Sequence, residues 1–212
     1  MVGVVHVVDD DASFRTSIKR RLKIAGYEVA TYANAQQLLD NLPAETGPSC
    51  ILLDVQIPGL TGPELQARLV EMGLRIPIIF LTGHGDIQIS VKAIKAGAEE
   101  FLTKPVSTNL LIETIKQALS RHVVSMARTS RLDELRARLS SLTPRERQVF
   151  DLVIFGKINK QIAFELGTTE RTVKAHRHQV MEKMKAPSLA ALVSIADQLG
   201  LAAADKVDPS IG

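Results

Sequence analysis

Cysteine is almost missing from this chain: Cys50 stands alone among 212 residues. One thiol cannot build a disulfide framework or a multi-cysteine zinc site, and such scarcity fits a reducing compartment. Long apolar runs are missing as well. The longest uncharged one, from Ile76 to Leu81, falls far short of the roughly 20 residues that a membrane helix needs. The apolar stretch from Val2 to Val8 runs straight into Asp9, Asp10 and Asp11, unlike any secretory signal peptide. A soluble, cytoplasmic protein is expected. Apolar side chains make up 45% of the residues, which supports real cores and argues against a largely disordered chain. The length suits one large domain or two ordinary ones.

The formal net charge is only +3, yet it is unevenly spread. Residues 1–122 carry 12 basic and 13 acidic side chains, whereas residues 123–212 carry 14 basic and 10 acidic. The surplus lies within 141–186, where nine Lys and Arg face five Asp and Glu, with His176 and His178 among them. A basic segment alone does not indicate nucleic acid, because many solvated helices are equally basic.

The first half alternates short apolar runs with helix-period segments. Val4–Val8, Glu28–Tyr32, Cys50–Asp54, Ile76–Thr82 and Glu100–Thr103 read as strands. Helical patterns fall near 12–25, 35–42, 62–73, 86–96 and 107–121. Such alternation makes βαβ units and a doubly wound parallel sheet of five strands covered on both faces. Ligands of such sheets bind beyond the carboxyl ends of the strands, where the winding reverses. The second half lacks strand patterns. Leu132, Leu135, Leu139 and Leu142 form a short leucine seam; pairing between subunits is expected of it, with packing on the helical domain that follows as the alternative. Residues 122–140 read as a helical linker, either separate from the helix at 107–121 or continuous with it. Thr143-Pro144-Arg145-Glu146 is a helix start that runs to Phe155 before Gly156. A short helix at 160–166, a turn at Gly167-Thr168 and a helix capped by Thr169 and running to Lys185 give a helix-turn-helix. Pro187-Ser188 opens a last helix to Leu199, and the tail from Ala202 is expected to fray.

Asp9 and Asp10 end the first strand and Asp54 ends the third. If these strands are neighbours, three carboxylates converge, and such a cluster repels itself unless a cation neutralises it. Oxygen donors with room for waters suit Mg²⁺. The bland alternative is a solvated acidic run that caps the next helix, a role assigned here to Asp11. Thr82 closes the fourth strand, and Lys104 follows the fifth, just before Pro105. A hydroxyl and an ammonium facing a metal-bound carboxylate make a pocket for a tetrahedral anion, and a carboxylate can accept a phosphoryl group.

Val-Val-Asp-Asp at 7–10, Leu-Leu-Asp54-Val-Gln-Ile-Pro58, Leu-Thr82-Gly-His-Gly-Asp86 and Phe101-Leu-Thr-Lys104-Pro105 together resemble the receiver domain of two-component response regulators. The likeness spans residues 1–121, and the 82–86 stretch is similar to the FixJ-like subgroup of the NarL/FixJ family. The resemblance implies that a partner histidine kinase phosphorylates Asp54. It implies Mg²⁺ ligation by Asp10, Asp54 and the backbone carbonyl of Gln56, with Asp9 acting through water. It also implies a phosphoryl contact from Lys104, a cis bond from Lys104 to Pro105, a Thr82 hydroxyl that swings toward the phosphoryl, and an aromatic Phe101 that turns inward behind it. Ile57 stands where Met is common, and Phe101 lacks the hydroxyl of the Tyr found in many members.

Leu142-Thr-Pro-Arg-Glu-Arg147, Gly156-Lys-Ile-Asn159-Lys160-Gln-Ile-Ala163 and Thr172-Val-Lys-Ala-His-Arg-His178 with Lys183 resemble the LuxR-type helix-turn-helix output domain, over 141–206. On a helix starting at Thr169, Arg171, Lys174 and His178 share one face, while Val173, Val180 and Met184 lie on the other. The resemblance points Lys174, Ala175 and His178 at base edges of double-stranded DNA and makes Thr172 and Arg177 phosphate contacts. Lys160 and Asn159 contact phosphate or cap the scaffold helix, and His176 is expected to face inward and be hydrogen-bonded.

The expected protein is therefore a phosphorylation-controlled transcription factor and not an enzyme. Phosphorylation of Asp54 would be read by Thr82 and Phe101 and would change the surface formed by 86–96, 100–103 and 107–121. Receivers would then pair as a homodimer, bringing two output domains to adjacent half-sites, with RNA polymerase as a further partner. A constitutive DNA-binding dimer whose receiver only docks would require a damaged pocket, and the pocket residues are all present. A free-standing acyl-phosphate hydrolase would require a general base for water, and none is evident.

Overall fold

The computed structural model describes residues 3–42, 47–83 and 99–201. The chain divides into two compact units between Met126 and Ala127. The first contains the strands β1 (Val4–Val8), β2 (Glu28–Tyr32), β3 (Ser49–Asp54), β4 (Ile78–Thr82) and β5 (Glu100–Thr103). They form one parallel sheet in the order β2-β1-β3-β4-β5. The doubly wound five-stranded sheet expected from the apolar runs is thus present. β4 starts at Ile78 instead of the expected Ile76 because Pro77 has no N–H for a ladder; its carbonyl still accepts from the Ile51 N–H at 2.9 Å.

Side-chain alternation divides the apolar residues between the two faces of the sheet. Ile51, Leu53, Ile78 and Phe80 join Leu38, Leu65 and Leu69 on one side. Cys50, Leu52, Ile79 and Leu81 join Val5, Val7, Ile18, Leu22, Leu111 and Ile115 on the other. Each fully buried aliphatic or aromatic side chain contributes about 1.5–3 kcal/mol. This two-sided burial explains why the strands read as continuous apolar runs. The layers over the sheet include α1 (Ala12–Ile24), α2 (Ala35–Asn41) and α3 (Gly62–Glu71). The expected helix at 86–96 lies outside the described residues.

α4 (Thr108–Ser140) is one helix, so the linker expected at 122–140 continues the helix before it. No Pro or Gly interrupts that stretch. Its early part packs Leu111, Ile115, Ala118 and Leu119 into the first unit. His122 is buried there and accepts the Ser49 N–H at Nδ1 over 3.0 Å. In the second unit α5 (Pro144–Ile154), α6 (Asn159–Glu165), α7 (Glu170–Lys183) and α8 (Leu189–Gln198) enclose a core around Val149, Phe150, Val173 and Leu192. Leu135 and Leu142 are buried in that core and Leu139 packs against it. Leu135, Leu139 and Leu142 thus take the alternative, packing on their own output domain, whereas half-buried Leu132 is not part of that core. Spacing identifies an apolar face of a helix but not the surface that covers it. The tail from Ala202 lies outside the described residues. Among the described residues no helix is long and apolar enough to cross a membrane.

Candidate functional site: an acidic pocket and a basic helix

The winding of the sheet reverses between β1 and β3, whose carboxyl ends are neighbours with Val8 opposite Leu53. The next residue on each strand is an aspartate: Asp9 after Val8, and Asp54 at the end of β3. Asp9 is buried, Asp54 is half-buried and Asp10 is exposed, and each offers an oxygen within 4.8 Å of the others. Two of the carboxylates, those of Asp9 and Asp54, accept backbone N–H groups. The Asp11 N–H reaches Asp9 Oδ1 at 2.9 Å, and the Gln56 N–H reaches Asp54 Oδ1 at 3.2 Å. Three hard oxygen donors on one rim, one of them in water, fit a small divalent cation that keeps part of its hydration.

Lys104 enters this cluster from the end of β5. Its Nζ donates to Asp9 Oδ2 at 2.6 Å and to Asp54 Oδ2 at 2.8 Å. Its backbone N–H donates to the Thr82 carbonyl at 2.6 Å, and its bond to Pro105 is cis. Burial pushes the Asp9 carboxyl above its ordinary range, with the Lys104 and Asp11 hydrogen bonds opposing it. Burial pulls the Lys104 ammonium down, but its bonds to Asp54 and Asp9 outweigh that and leave it raised. Thr82 is buried at the end of β4. Phe101 is half-buried and packs inward, its ring centroid 6.1 Å from that of Phe80.

Two residues near the pocket were not singled out by sequence reasoning. Arg15 donates to the Asp9 carbonyl oxygen at 2.5 Å. The Phe14 ring lies under the Lys104 ammonium, 4.1 Å from Nζ to the ring centroid. The available signal was the helix start: Asp11 caps α1, accepting from Ser13 and Phe14, so Phe14 and Arg15 must lie within one turn of the acidic loop.

In the second unit, Thr143 and Glu146 form a capping box at α5. The Glu146 carboxylate also accepts from Lys183 Nζ at 2.6 Å, which ties the end of α7 to the start of α5. Chiefly this bond, with the Thr143 N–H next, holds the Glu146 carboxyl below its ordinary range. α6 and α7 are joined through Gly167 at φ 59 and the Thr169 cap. On α7, Arg171, Lys174, Ala175 and His178 are exposed, and Val173, Val180 and the C-terminal cap Met184 are buried. Lys160 is exposed on α6. Thr172 is half-buried, with its hydroxyl 2.9 Å from that of Thr169. Arg177 is half-buried and donates to Asn159 Oδ1 at 3.1 Å. Asn159 thus braces α7, while the N-cap of α6 is Ile158. His176 is half-buried, but its ring makes no hydrogen bond among the described residues, so the expected inward bond is not found there.

An acidic pocket at the switch point of a five-stranded parallel sheet, followed by a helix-turn-helix with a basic outer face, defines a phosphoreceiver joined to a DNA-binding module. The family models agree with this: residues 5–116 match the response regulator receiver domain and residues 140–196 match the luxR family of bacterial regulatory proteins. The chain is 41% identical to Nodulation protein W of Bradyrhizobium diazoefficiens over 202 residues, covering 95% of this chain and 88% of that one. It is 39% identical to the transcriptional regulatory protein FixJ of Azorhizobium caulinodans over 207 residues, 97% of each. The solved structure of the response regulator StyR is similar with a TM-score of 0.82 and 43% identity, over 93% of this chain and all of that one. The chain belongs to the response regulator family and is a two-component transcriptional regulator with a LuxR-type DNA-binding domain.

Proposed function

We propose that a partner histidine kinase phosphorylates Asp54 and that this modification controls DNA binding by α7. The observation that carries this reading is the Lys104 ammonium held between Asp9 and Asp54 at 2.6 and 2.8 Å. A cation already stands where negative charge on a phosphorylated Asp54 would develop. In the transfer, an Asp54 oxygen attacks phosphorus, the bond from phosphorus to the kinase histidine nitrogen breaks, and that nitrogen keeps the electron pair. Asp10, Asp54 and the Gln56 carbonyl would hold Mg²⁺, with Asp9 acting through water, to offset phosphoryl charge. Lys104 would move its hydrogen bond from Asp54 to a phosphoryl oxygen. Thr82 would follow toward the same group, and Phe101, already packed on Phe80, would transmit the change by packing.

The phosphorylated receivers would pair, and the paired output domains would reach adjacent half-sites on double-stranded DNA, with RNA polymerase as the next partner. Lys174, Ala175 and His178 would face base edges, and Arg171, Thr172 and Lys160 the phosphates. The test is solution mass by light scattering, with and without Mg²⁺ and beryllofluoride, for wild type and Asp54→Asn. A shift from monomer to dimer that Asp54→Asn blocks is expected, together with loss of Mg²⁺-dependent phosphoryl incorporation in the variant. Incorporation at the wild-type level in Asp54→Asn would show that another residue accepts the group.

A further inference from the structure

Phe14 is an aromatic side chain facing a pocket made of charges. It is the third residue of α1, its N–H held by the Asp11 carboxylate at 3.2 Å, and its half-buried ring packs against the core that contains Val5 and Ile18. The Lys104 ammonium carries three N–H groups. Two of the contacts it makes are to Asp9 Oδ2 and Asp54 Oδ2, and the ring face is a third, 4.1 Å from Nζ to the centroid. The face of an aromatic ring is the negative part of its quadrupole and attracts a cation without forming a directed bond.

We propose that Phe14 is a positioning residue for phosphoryl transfer: its ring face keeps the Lys104 ammonium in the pocket when the carboxylates that hold it are engaged elsewhere. The inference rests on the reading of Asp54 as the phosphoacceptor. Asp9 and Asp54, which bind Lys104, are also two of the three carboxylates suited to a divalent cation. A carboxylate that shares its charge with such an ion holds an ammonium less well, and the two cations repel each other. Lysine is a flexible arm with a strongly hydrated head. Without another contact it turns to water at the step where its charge is needed. The Phe14 face neither titrates nor competes for the metal, so its hold persists through that exchange. Leucine would fill the same space against the core but would offer no negative face.

The test uses the full-length protein with mono-, di- and trifluorinated phenylalanine at position 14, which weaken the ring face stepwise at nearly constant volume. Phe14→Tyr and Phe14→Leu complete the series. Without metal or donor, the readout is the proton shift of the Lys104 ε-methylene, which a ring face moves upfield. With Mg²⁺ and acetyl phosphate, it is the initial rate of phosphoryl incorporation. The rate is expected to fall stepwise with fluorination and to reach about three- to tenfold below wild type in Phe14→Leu. Phe14→Tyr should stay near wild type, with the melting temperature level across the fluorinated series. A flat rate through the series, an ε-methylene shift unchanged in Phe14→Leu, or a rate that merely follows the melting temperature would each overturn the proposal. Lys104→Met separates the two levels. If it is slow while the Phe14 series is flat, only the positioning role falls; if it is phosphorylated at the wild-type rate, the pocket reading falls too.

Discussion

The Arg177 guanidinium donates to the Asn159 side-chain carbonyl oxygen at 3.1 Å, tying the outer helix of the helix-turn-helix to the first residue of the scaffold helix. A side chain that the motif alone assigns to phosphate is thus engaged inside the domain. Each of Arg177→Ala and Asn159→Ala should lower output-domain stability by about 1–2 kcal/mol, as expected for a hydrogen bond from a charged donor. The double variant should cost less than the two together. Urea unfolding gives the energies, and DNA titrations at several salt concentrations give the second criterion. A brace leaves the salt slope unchanged in Arg177→Ala; a slope smaller by about one would make Arg177 a phosphate contact after all.

Gly62 starts α3 against the strand end that carries Asp54. A Cβ there would lie 2.7 Å from Phe80 Cε1 and 2.9 Å from the Asp54 carbonyl oxygen. Phe80 is fully buried and cannot retreat. Gly62→Ala should therefore destabilise the receiver by about 1–3 kcal/mol, despite the better helix propensity of alanine. Urea unfolding checks it, and a stabilised variant would show that the loop after β3 yields freely.

His6 makes receiver stability depend on pH. It is buried in β1 with Nδ1 3.1 Å from the Tyr32 hydroxyl, and burial pushes its pKa below the ordinary 6.5. The folded protein thus keeps His6 neutral at a pH where the unfolded chain binds a proton. Stability rises with pH in that window: the contribution is complete above about 6.5 and is lost as pH falls below it. Unfolding free energies at pH 5.5 and 7.5 should differ more in wild type than in His6→Gln. Tyr32→Phe should keep the dependence, because burial and not the hydroxyl is its main cause. Equal dependence in wild type and His6→Gln would remove His6 as the source.

The parts of the fold that were legible are those set by local chemistry. The runs of β1, β3 and β4 became the central strands because both of their faces are covered, and Asp11, Thr143 and Thr169 cap helices where the sequence placed them. The convergence of Asp9, Asp10 and Asp54 followed once strand neighbours were assumed. What stayed hidden depends on partners distant in sequence. Leu135 and Leu142 form a seam in any helix, but only the folded output core shows that they are consumed there. Arg177 lies 18 residues from Asn159, and Lys104 is far from Phe14 along the chain, so neither contact has a periodicity that could announce it. Pro77 shortened β4 through a missing donor that its apolar setting concealed.

Lys174 offers the sharpest test of DNA reading. It is exposed on α7, one turn from exposed His178 and beside exposed Ala175, whereas Thr172 and Arg177 are partly engaged within the domain. Of the basic side chains on this helix, it therefore combines a free reach with the expected base-facing position. Lys174→Ala should cost about 1–3 kcal/mol of specific affinity and relax preference at one base position. Binding to a library of half-sites separates the outcomes. A loss confined to one position establishes base reading. A uniform loss across all sequences, with a salt slope smaller by about one, makes Lys174 a phosphate contact and shifts base reading to His178.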